Sequence, residues 1–357
     1  MGIKGLNAFL RKMCGNDLIR SVPMSNYAGK KIAIDASMYV CRFTFRGDNY
    51  LESCIELITA LLEAKIIPLF VFDGDAPPEK SIEREIRRQK KRAQYLRIED
   101  LERELDIYHQ TGRVSPSLAE INAKTRRKRG AGGVTGGRTL VPDFFNVKAV
   151  TKYIADLRKQ MLNATKFDFL SLKRLLNMFG VSYLDAIGEA EITCARLSRI
   201  GIVDAVLSCD TDIIACGAPI VLKGFKGSMF FEISLAAILE KLSFDYCQLL
   251  DFCIMCGTDF NRNIPRLGPV KAYAVILKHK TIDALTTTTT TDANIDASSV
   301  SILNHERVRE IFTNPTISSL DTINVQSNEI NFDAIFKLII TERLKISPSV
   351  LRKKLTS

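Results

Sequence analysis

Short apolar runs that lead straight into an acidic residue recur along this chain. KIAID ends on Asp35, PLFVFD ends on Asp73, and AVLSC is followed at once by Asp210 and, two positions on, Asp212. Runs of this kind, with no polar face and with charged or breaking residues at their ends, are buried strands. They predict strands over 31–35, 68–73 and 205–209, with shorter ones at 182–185, 219–222 and 228–231. Apolar residues at helical spacing predict helices over 36–45, 50–64, 170–179, 189–200, 245–256 and 332–344. Pro77 and Pro78 break the chain, and a long charged helix is expected from about 79 to 108. Strands alternate with helices, which predicts an α/β fold on a mostly parallel twisted central sheet flanked by helices.

The pattern lapses twice. Between 110 and 145, KTRRKR places five basic residues in six positions and five glycines follow, which predicts a flexible basic loop. Thr286 to Thr291 are six consecutive threonines, a low-complexity loop, and the last seventy residues are weakly patterned apart from the helix at 332–344. No internal repeat is present.

The position of the acids is the informative feature. Asp35, Asp73, Asp210 and Asp212 follow strands, Glu189 and Glu191 follow SYLD, and Asp259 follows the apolar run ending CIMCGTD. Ligand sites of open α/β sheets lie at the carboxyl ends of the strands. Seven carboxylates gathered there would repel one another unless a cation or raised pKa values compensated. Hard divalent cations take such oxygen ligands, magnesium most commonly, and two of them about 4 Å apart can clamp a phosphodiester during in-line displacement. Asp210 and Asp212 point the same way if that segment is extended. Glu189 and Glu191 would point apart within a regular helix, so the helix is expected to begin around them. Each acid taken singly is equally an N-cap or a turn residue.

Composition narrows the partners. The chain has 357 residues, 46% hydrophobic and 25% charged, enough for a substantial core, and a formal net charge of +10. That charge suits an anionic partner, although plain solubility explains it as well. No apolar stretch approaches the roughly 18 residues of a membrane span, so no membrane partner is expected. MGIKGLNAFLRK is too charged for a signal peptide and carries Leu6 where a myristoylation signal needs Ser or Thr, so the protein is not expected to be secreted. Nine cysteines, an odd number, then read as reduced thiols. The one C-x-x-C, Cys253 to Cys256, lies inside LLDFCIMCG with only Cys247 nearby, and is read as buried thiols rather than a zinc site. Lys80, Arg84, Arg87, Arg88 and Lys91 share one helical face by spacing, which is either a solvated face or a phosphate-binding one.

Six segments in order, MGIKGL, IAIDAS, FVFDGDAPPEKS, GEAEITCARL, LSCDTDIIACG and CGTDFNRNIPRLGPVKA, resemble the flap endonuclease and XPG family of structure-specific nucleases. The resemblance covers 1–98 and 168–280. It implies a PIN-like nuclease fold with an N-terminal nuclease region at 1–98, an arch or cap insertion and linker at 99–167, an internal nuclease region with a helix–two-turn–helix element at 168–280, and a C-terminal extension at 281–357. It implies two-metal hydrolysis of DNA at 5′ flaps or other single-strand/double-strand junctions, in replication or repair. Asp35, Asp73, Glu189, Glu191, Asp210, Asp212 and Asp259 would bind two Mg2+ ions, with Mn2+ a substitute. Asp35, Asp73, Glu189 and Glu191 look like the first-metal group, and Asp210 and Asp212 lie closest to the second. Lys80 and Arg87 match residues that hold the scissile phosphate, and Gly2, at the processed N-terminus, would sit beside the site. The following segment would form an arch for a 5′ single strand, with Lys124 to Arg129, and thus Arg126, Arg127, Lys128 and Arg129, drawing in phosphates. Gly268 and Lys271, in the turn at 264–271, would meet the downstream duplex and a monovalent cation.

Arg266 stands where the family has a glycine, and Cys41 where it has an aromatic residue, with Tyr39 nearby on a different helix face. The terminus LRKKLTS carries no sliding-clamp motif. These departures describe a divergent member of the kind a large DNA virus encodes, acting as a monomer in the nucleus, the host's if viral. Two other readings stay open: a non-catalytic junction-binding protein, and a relative acting on four-way junctions, bubbles or 5′ ends.

Overall fold

The computed structural model describes residues 2–46, 49–130, 145–287, 300–313, 325–326 and 328–356. Two compact units result. The larger comprises Met1–Phe43, Asp48–Glu83 and Thr165–Ser357; the smaller comprises Thr44–Gly47 and Arg84–Ala164.

The larger unit is built on seven strands: β1 (Arg20–Pro23), β2 (Lys31–Asp35), β3 (Ile67–Phe72), β4 (Ser182–Asp185), β5 (Ala205–Leu207), β6 (Ile220–Lys226) and β7 (Met229–Ser234). Their order across the sheet is β1-β7-β6-β5-β2-β3-β4. Every pair from β6 to β4 is parallel, while β7 runs antiparallel to both β6 and β1. The central strands are covered on both faces, as parallel strands must be; Ile32, Ala33, Ile34, Val206 and Leu207 are fully buried. The apolar runs were legible for that reason. β1 was not expected from its sequence, RSVP, because it is a short edge strand with little apolar content.

The chain lays β2, β3 and β4 in one direction, then returns to place β5 and β6 on the other side of β2. The strand order therefore reverses between β2 and β5, and a crevice opens at the carboxyl ends of those two strands.

Around the sheet lie α1 (Leu6–Cys14), α2 (Ala36–Arg46), α3 (Tyr50–Glu63), α7 (Lys166–Met178), α8 (Ala190–Arg199), α9 (Asp212–Ala215), α10 (Leu235–Leu242), α11 (Tyr246–Cys256) and α12 (Pro269–His279), while α4 (Ser81–Thr111), α5 (Pro116–Gly130) and α6 (Val147–Lys159) belong to the smaller unit. α7 and α11 each start with a reciprocal capping box, Thr165 with Asp168 and Asp245 with Gln248. Among the described residues, the C-terminal seventy positions include the helices His305–Thr313, Phe332–Thr341 and Pro348–Thr356, of which the first and last had no clear signal. The helix expected over 332–344 ends at Thr341, and the strand expected over 205–209 ends at Leu207. Val308, Ile311 and Phe312 join the main core. No helix among the described residues is long and apolar enough to cross a membrane.

In the smaller unit, α4 (Ser81–Thr111) is 31 residues long and highly charged, burying only Ile98, Leu101 and Leu105 at helical spacing. These pack with Leu118 and Ile121 of α5 (Pro116–Gly130) and with Val150 and Ile154 of α6 (Val147–Lys159). The loop expected over 110–145 is thus corrected: Pro116–Gly130 is a helix, and KTRRKR forms part of it. Two buried apolar residues one turn apart are too sparse a stripe to be recognised beside a glycine-rich run, yet they suffice when α4 and α6 supply the other walls. The glycine-rich remainder, 131–144, lies outside the described residues.

Candidate metal centre

Six of the seven acids reach the crevice from the carboxyl ends of four strands, and the seventh, Asp259, comes from the turn after α11. Asp35 is the last residue of β2 and lies opposite Val71 of β3. Its Oδ1 accepts from the Met38 amide at 3.0 Å and its Oδ2 from the Ser208 hydroxyl at 3.2 Å. Asp73 follows β3; its amide donates to Ser37 Oγ at 3.0 Å, and its Oδ1 accepts from the Ala190 amide at 2.7 Å. That last bond places Asp73 at the first turn of α8, where a carboxylate satisfies an unpaired helix amide. Residues 74–75 zip onto the chain before α8, with Gly74 N–Gly188 O at 2.8 Å and Asp75 N–Ile187 O at 3.0 Å. A Cβ on Gly74 would fall 2.0 Å from the Ala186 carbonyl oxygen, so only glycine permits this approach.

Glu189 is the N-cap of α8, and Glu191 lies in its first turn. The helix does begin between them, as their spacing requires. Asp210 and Asp212 are not on an extended segment. The strand has ended by Leu207, and Thr211 is helical in backbone (φ −85°, ψ −17°) at the start of α9. The two acids nevertheless converge because the turn folds back on itself: the Asp212 amide donates to Asp210 Oδ1 at 3.2 Å. Carboxylate oxygens of Glu191, Asp210 and Asp212 all lie within 4.8 Å of one another. Glu191 thus clusters with Asp210 and Asp212 at the start of α9 rather than only with Asp35 and Asp73.

The N-terminal motif has its explanation here. The Ile3 amide donates to Asp212 Oδ1 at 2.8 Å, and the Lys4 amide to the Gly257 carbonyl at 3.3 Å. Gly2 has φ +99°, and a Cβ there would lie 2.4 Å from Asp210 Oδ1 and from Thr211 Oγ1. Gly5, the left-handed N-cap of α1, passes so near Pro269 that a Cβ would meet its ring at 2.9 Å. The first residues therefore thread between the acidic loop and the start of α12.

The site holds more negative charge than its own cations offset. Lys80, at the end of a 3-10 turn (Pro78–Lys80) that precedes α4, brings a cation into it. Its Nζ donates to Glu189 Oε2 at 2.6 Å and lies 3.6 Å from Asp259 Oδ2. Burial pulls the Lys80 pKa down, but Glu191, Glu189 and Asp259 outweigh it and leave the ammonium more firmly protonated than usual. The carboxyls move the other way. Burial, then repulsion from Asp73, pushes Asp35 up to about 7. Burial, then Asp210 and Asp259, pushes Asp212 up to about 7. Burial and the neighbouring Asp212 and Asp210 drive Glu191 well above the usual carboxylate range. Acids forced towards the neutral form by burial and by one another are the donor set that a hard divalent cation resolves, so these residues fit such an ion.

Several contributors to the site had no signal in the sequence. Lys223 of β6 extends its ammonium to the backbone carbonyls of Cys209 and Asp210 at 2.5 and 3.2 Å, pinning the acidic loop from behind. Ser37 and Ser208 fix Asp73 and Asp35. All act through neighbouring strands, which a linear reading does not reveal.

The other predicted residues lie as follows. Arg84, Arg87, Arg88 and Lys91 occupy α4 in the smaller unit; Arg88 pairs with Glu85 at 3.1 Å and Lys91 with Asn163. Arg126 is exposed on α5, and the side chains of Arg127, Lys128 and Arg129 lie outside the described residues. Gly268 is the N-cap of α12, with Lys271 exposed one turn on. Arg266 takes φ +64°, the left-handed backbone that a glycine would adopt without strain. Tyr39 is buried, so it offers no stacking face. Cys253 and Cys256 are free and buried.

Comparison with known proteins agrees with this geometry. Residues 1–94 match the XPG N-terminal domain and residues 180–259 the XPG I-region. The chain is 31% identical over 327 residues to a protein of Frog virus 3 described as a RAD2-like endonuclease, covering 89% of this chain and 85% of that one. It is 26% identical over 365 residues to flap endonuclease 1 of Bos taurus, covering 96% and 83%. The fold resembles the catalytic core of Rad2 in complex with DNA substrate, with a TM-score of 0.65, 18% identity and 99% of each chain covered. With the acids converging at the strand ends and the N-terminal motif threaded beneath them, the chain belongs to the XPG and flap endonuclease family of structure-specific nucleases.

Proposed function

We propose that this nuclease cleaves DNA at the base of 5′ flaps, using two Mg2+ ions, for which Mn2+ can substitute. The observation that carries the reading is the convergence of Glu191, Asp210 and Asp212 at the point where the strand order reverses, with Asp35 and Asp73 on the adjoining strand ends. Glu191, Asp210 and Asp212 would hold one ion and Asp35, Asp73, Glu189 and Asp259 would complete the set. When bound, such ions supply Lewis acidity towards the phosphodiester and lower the pKa of the attacking water.

The protein's own groups do the rest. Lys80 presents an ammonium that its acidic neighbours keep charged, which suits it to hold a non-bridging oxygen as negative charge develops. Arg87 would join it as a second phosphate ligand. Lys223 and the Ile3 amide hold the loop of Asp210 and Asp212 in place, so that little reorganisation accompanies reaction. Arg84, Arg88, Lys91 and the basic end of α5 would bind the single strand through its phosphates without reading sequence. Gly268 and Lys271 would meet the duplex at the N-terminus of α12, with a monovalent cation in the preceding turn, where Arg266 keeps the backbone a glycine would take. We place the protein as a monomer in the nucleus, acting in replication or repair.

The test is cleavage of a 5′-end-labelled double-flap DNA with and without magnesium, beside Asp210→Ala. Magnesium-dependent product at the junction, absent from the variant, is expected. A mobility shift for both proteins with no product from either would instead identify a junction-binding protein. Equal rates on flap, bubble, four-way junction and blunt duplex would refute the flap preference.

A further inference from the structure

Glu79 and Lys80 are neighbours in a 3-10 turn, and their side chains leave it in different directions. Lys80 enters the acidic crevice. Glu79 Oε1 accepts from Arg307 Nε at 2.7 Å, and Arg307 Nη1 also donates to Glu310 Oε2 at 3.0 Å. The hydrogen bond from Arg307 lowers the Glu79 pKa.

Arg307 stands on a fixed element. Its helix, His305–Thr313, buries Val308, Ile311 and Phe312 in the main core. The next arginine, Arg309, grips the buried Asp251 of α11 with two bonds of 2.7 Å and adds Asp283 at 2.8 Å. Phe312 packs edge-on against Phe260 at 5.4 Å, and the Lys80 ammonium lies 5.7 Å from the centre of that same Phe260 ring. One helix therefore supports Lys80 twice: through Arg307 to Glu79, and through Phe312 to the ring beside the ammonium.

We infer that Arg307 and Glu79 act as a positioning pair that sets where the Lys80 ammonium meets the scissile phosphate. The inference rests on the assignment of Lys80 to that phosphate. It gives a role in the reaction to a helix outside the residues matched by the XPG N-terminal domain and I-region. Glu79 Oε2 is buried and has no hydrogen-bond partner among the described residues. Loss of Arg307 would therefore leave a half-buried carboxylate unpaired one residue from Lys80, where it draws on the ammonium that should face the substrate.

The experiment is a double-mutant cycle on full-length protein: Arg307→Gln, Glu79→Gln and the pair together, with Arg307→Lys as the conservative variant, Lys80→Ala as reference, and thermal melting for each. Turnover and KM are measured on the double-flap substrate. Arg307→Gln is expected to lower kcat about tenfold and Glu79→Gln about threefold, with KM within twofold. The double variant should be no slower than Arg307→Gln alone, and Arg307→Lys should recover most of the loss. Multiplicative losses, or kcat within twofold for both single variants, would overturn the pairing. Lys80→Ala separates the two claims: if it cleaves like wild type, the role of Lys80 itself is wrong; if it is inactive while the Arg307 and Glu79 variants are normal, only the positioning pair is wrong. Glu79→Gln keeps the cycle decisive should Arg307→Gln fold poorly.

Discussion

The buried acids of the crevice make stability depend on pH in an unusual direction. Asp35 and Asp212 each sit near 7 in the folded protein, against about 3.8 when exposed. A carboxyl whose folded pKa is raised binds its proton more tightly in the folded state. Its stabilising contribution is complete below the unfolded pKa and is lost as pH rises through the folded one. Between pH 5 and the folded value near 7 lie about 2 pH units, so at about 1.4 kcal/mol per unit each group loses about 3 kcal/mol over this window. For a unit of this size about 1 kcal/mol moves Tm by roughly 2 °C. Metal-free protein should therefore melt at least about 5 °C lower at pH 8 than at pH 5. Carboxylates held low by arginine, such as Asp283 at about 2, carry the opposite sign, but theirs is lost only as pH falls below about 4 and so leaves this window untouched. Millimolar Mg2+ or Mn2+ should restore most of the loss at pH 8 and do little at pH 5, because the ion binds the ionised set. The assay is differential scanning calorimetry in EDTA and in magnesium across pH 5 to 8, with Asp212→Asn expected to flatten the metal-free profile. A metal-free Tm that is level or rises over that range, or a magnesium effect as large at pH 5 as at pH 8, would refute the argument.

Two further outcomes follow from the geometry. Gly2→Ala adds a Cβ at 2.4 Å from Asp210 Oδ1 on a left-handed backbone, so kcat should fall about 100-fold or more with little change in DNA binding; near-normal turnover would contradict the threading of the N-terminus. Replacing Arg84 and Arg88 together by alanine should weaken flap binding for all sequences alike and make the slope of log K against log salt shallower by about 1.4, as measured by fluorescence anisotropy; an unchanged slope would remove α4 from the DNA path.

Much of this protein is legible in its chain because the physics involved is local. A strand buried on both faces must be apolar throughout, so β2, β3 and β5 stand out, and an acid where the run stops can only lie at the sheet edge. The requirement for glycine at positions 2 and 74 is not local: a Cβ on Gly2 would meet Asp210 and Thr211, and one on Gly74 the Ala186 carbonyl. What the chain could not disclose depends on partners distant in sequence. Asp210 and Asp212 converge through a helical turn rather than an extended segment, and Lys223 reaches their loop only because β6 lies beside β5. Pro116–Gly130 is a helix because α4 and α6 wall in Leu118 and Ile121, which are too few to signal one alone. Arg307 meets Glu79 across 228 positions of chain, and no spacing rule links them. Local apolar burial thus wrote the sheet and its acidic edge into the sequence, while long-range packing decided which side chains hold that edge in place.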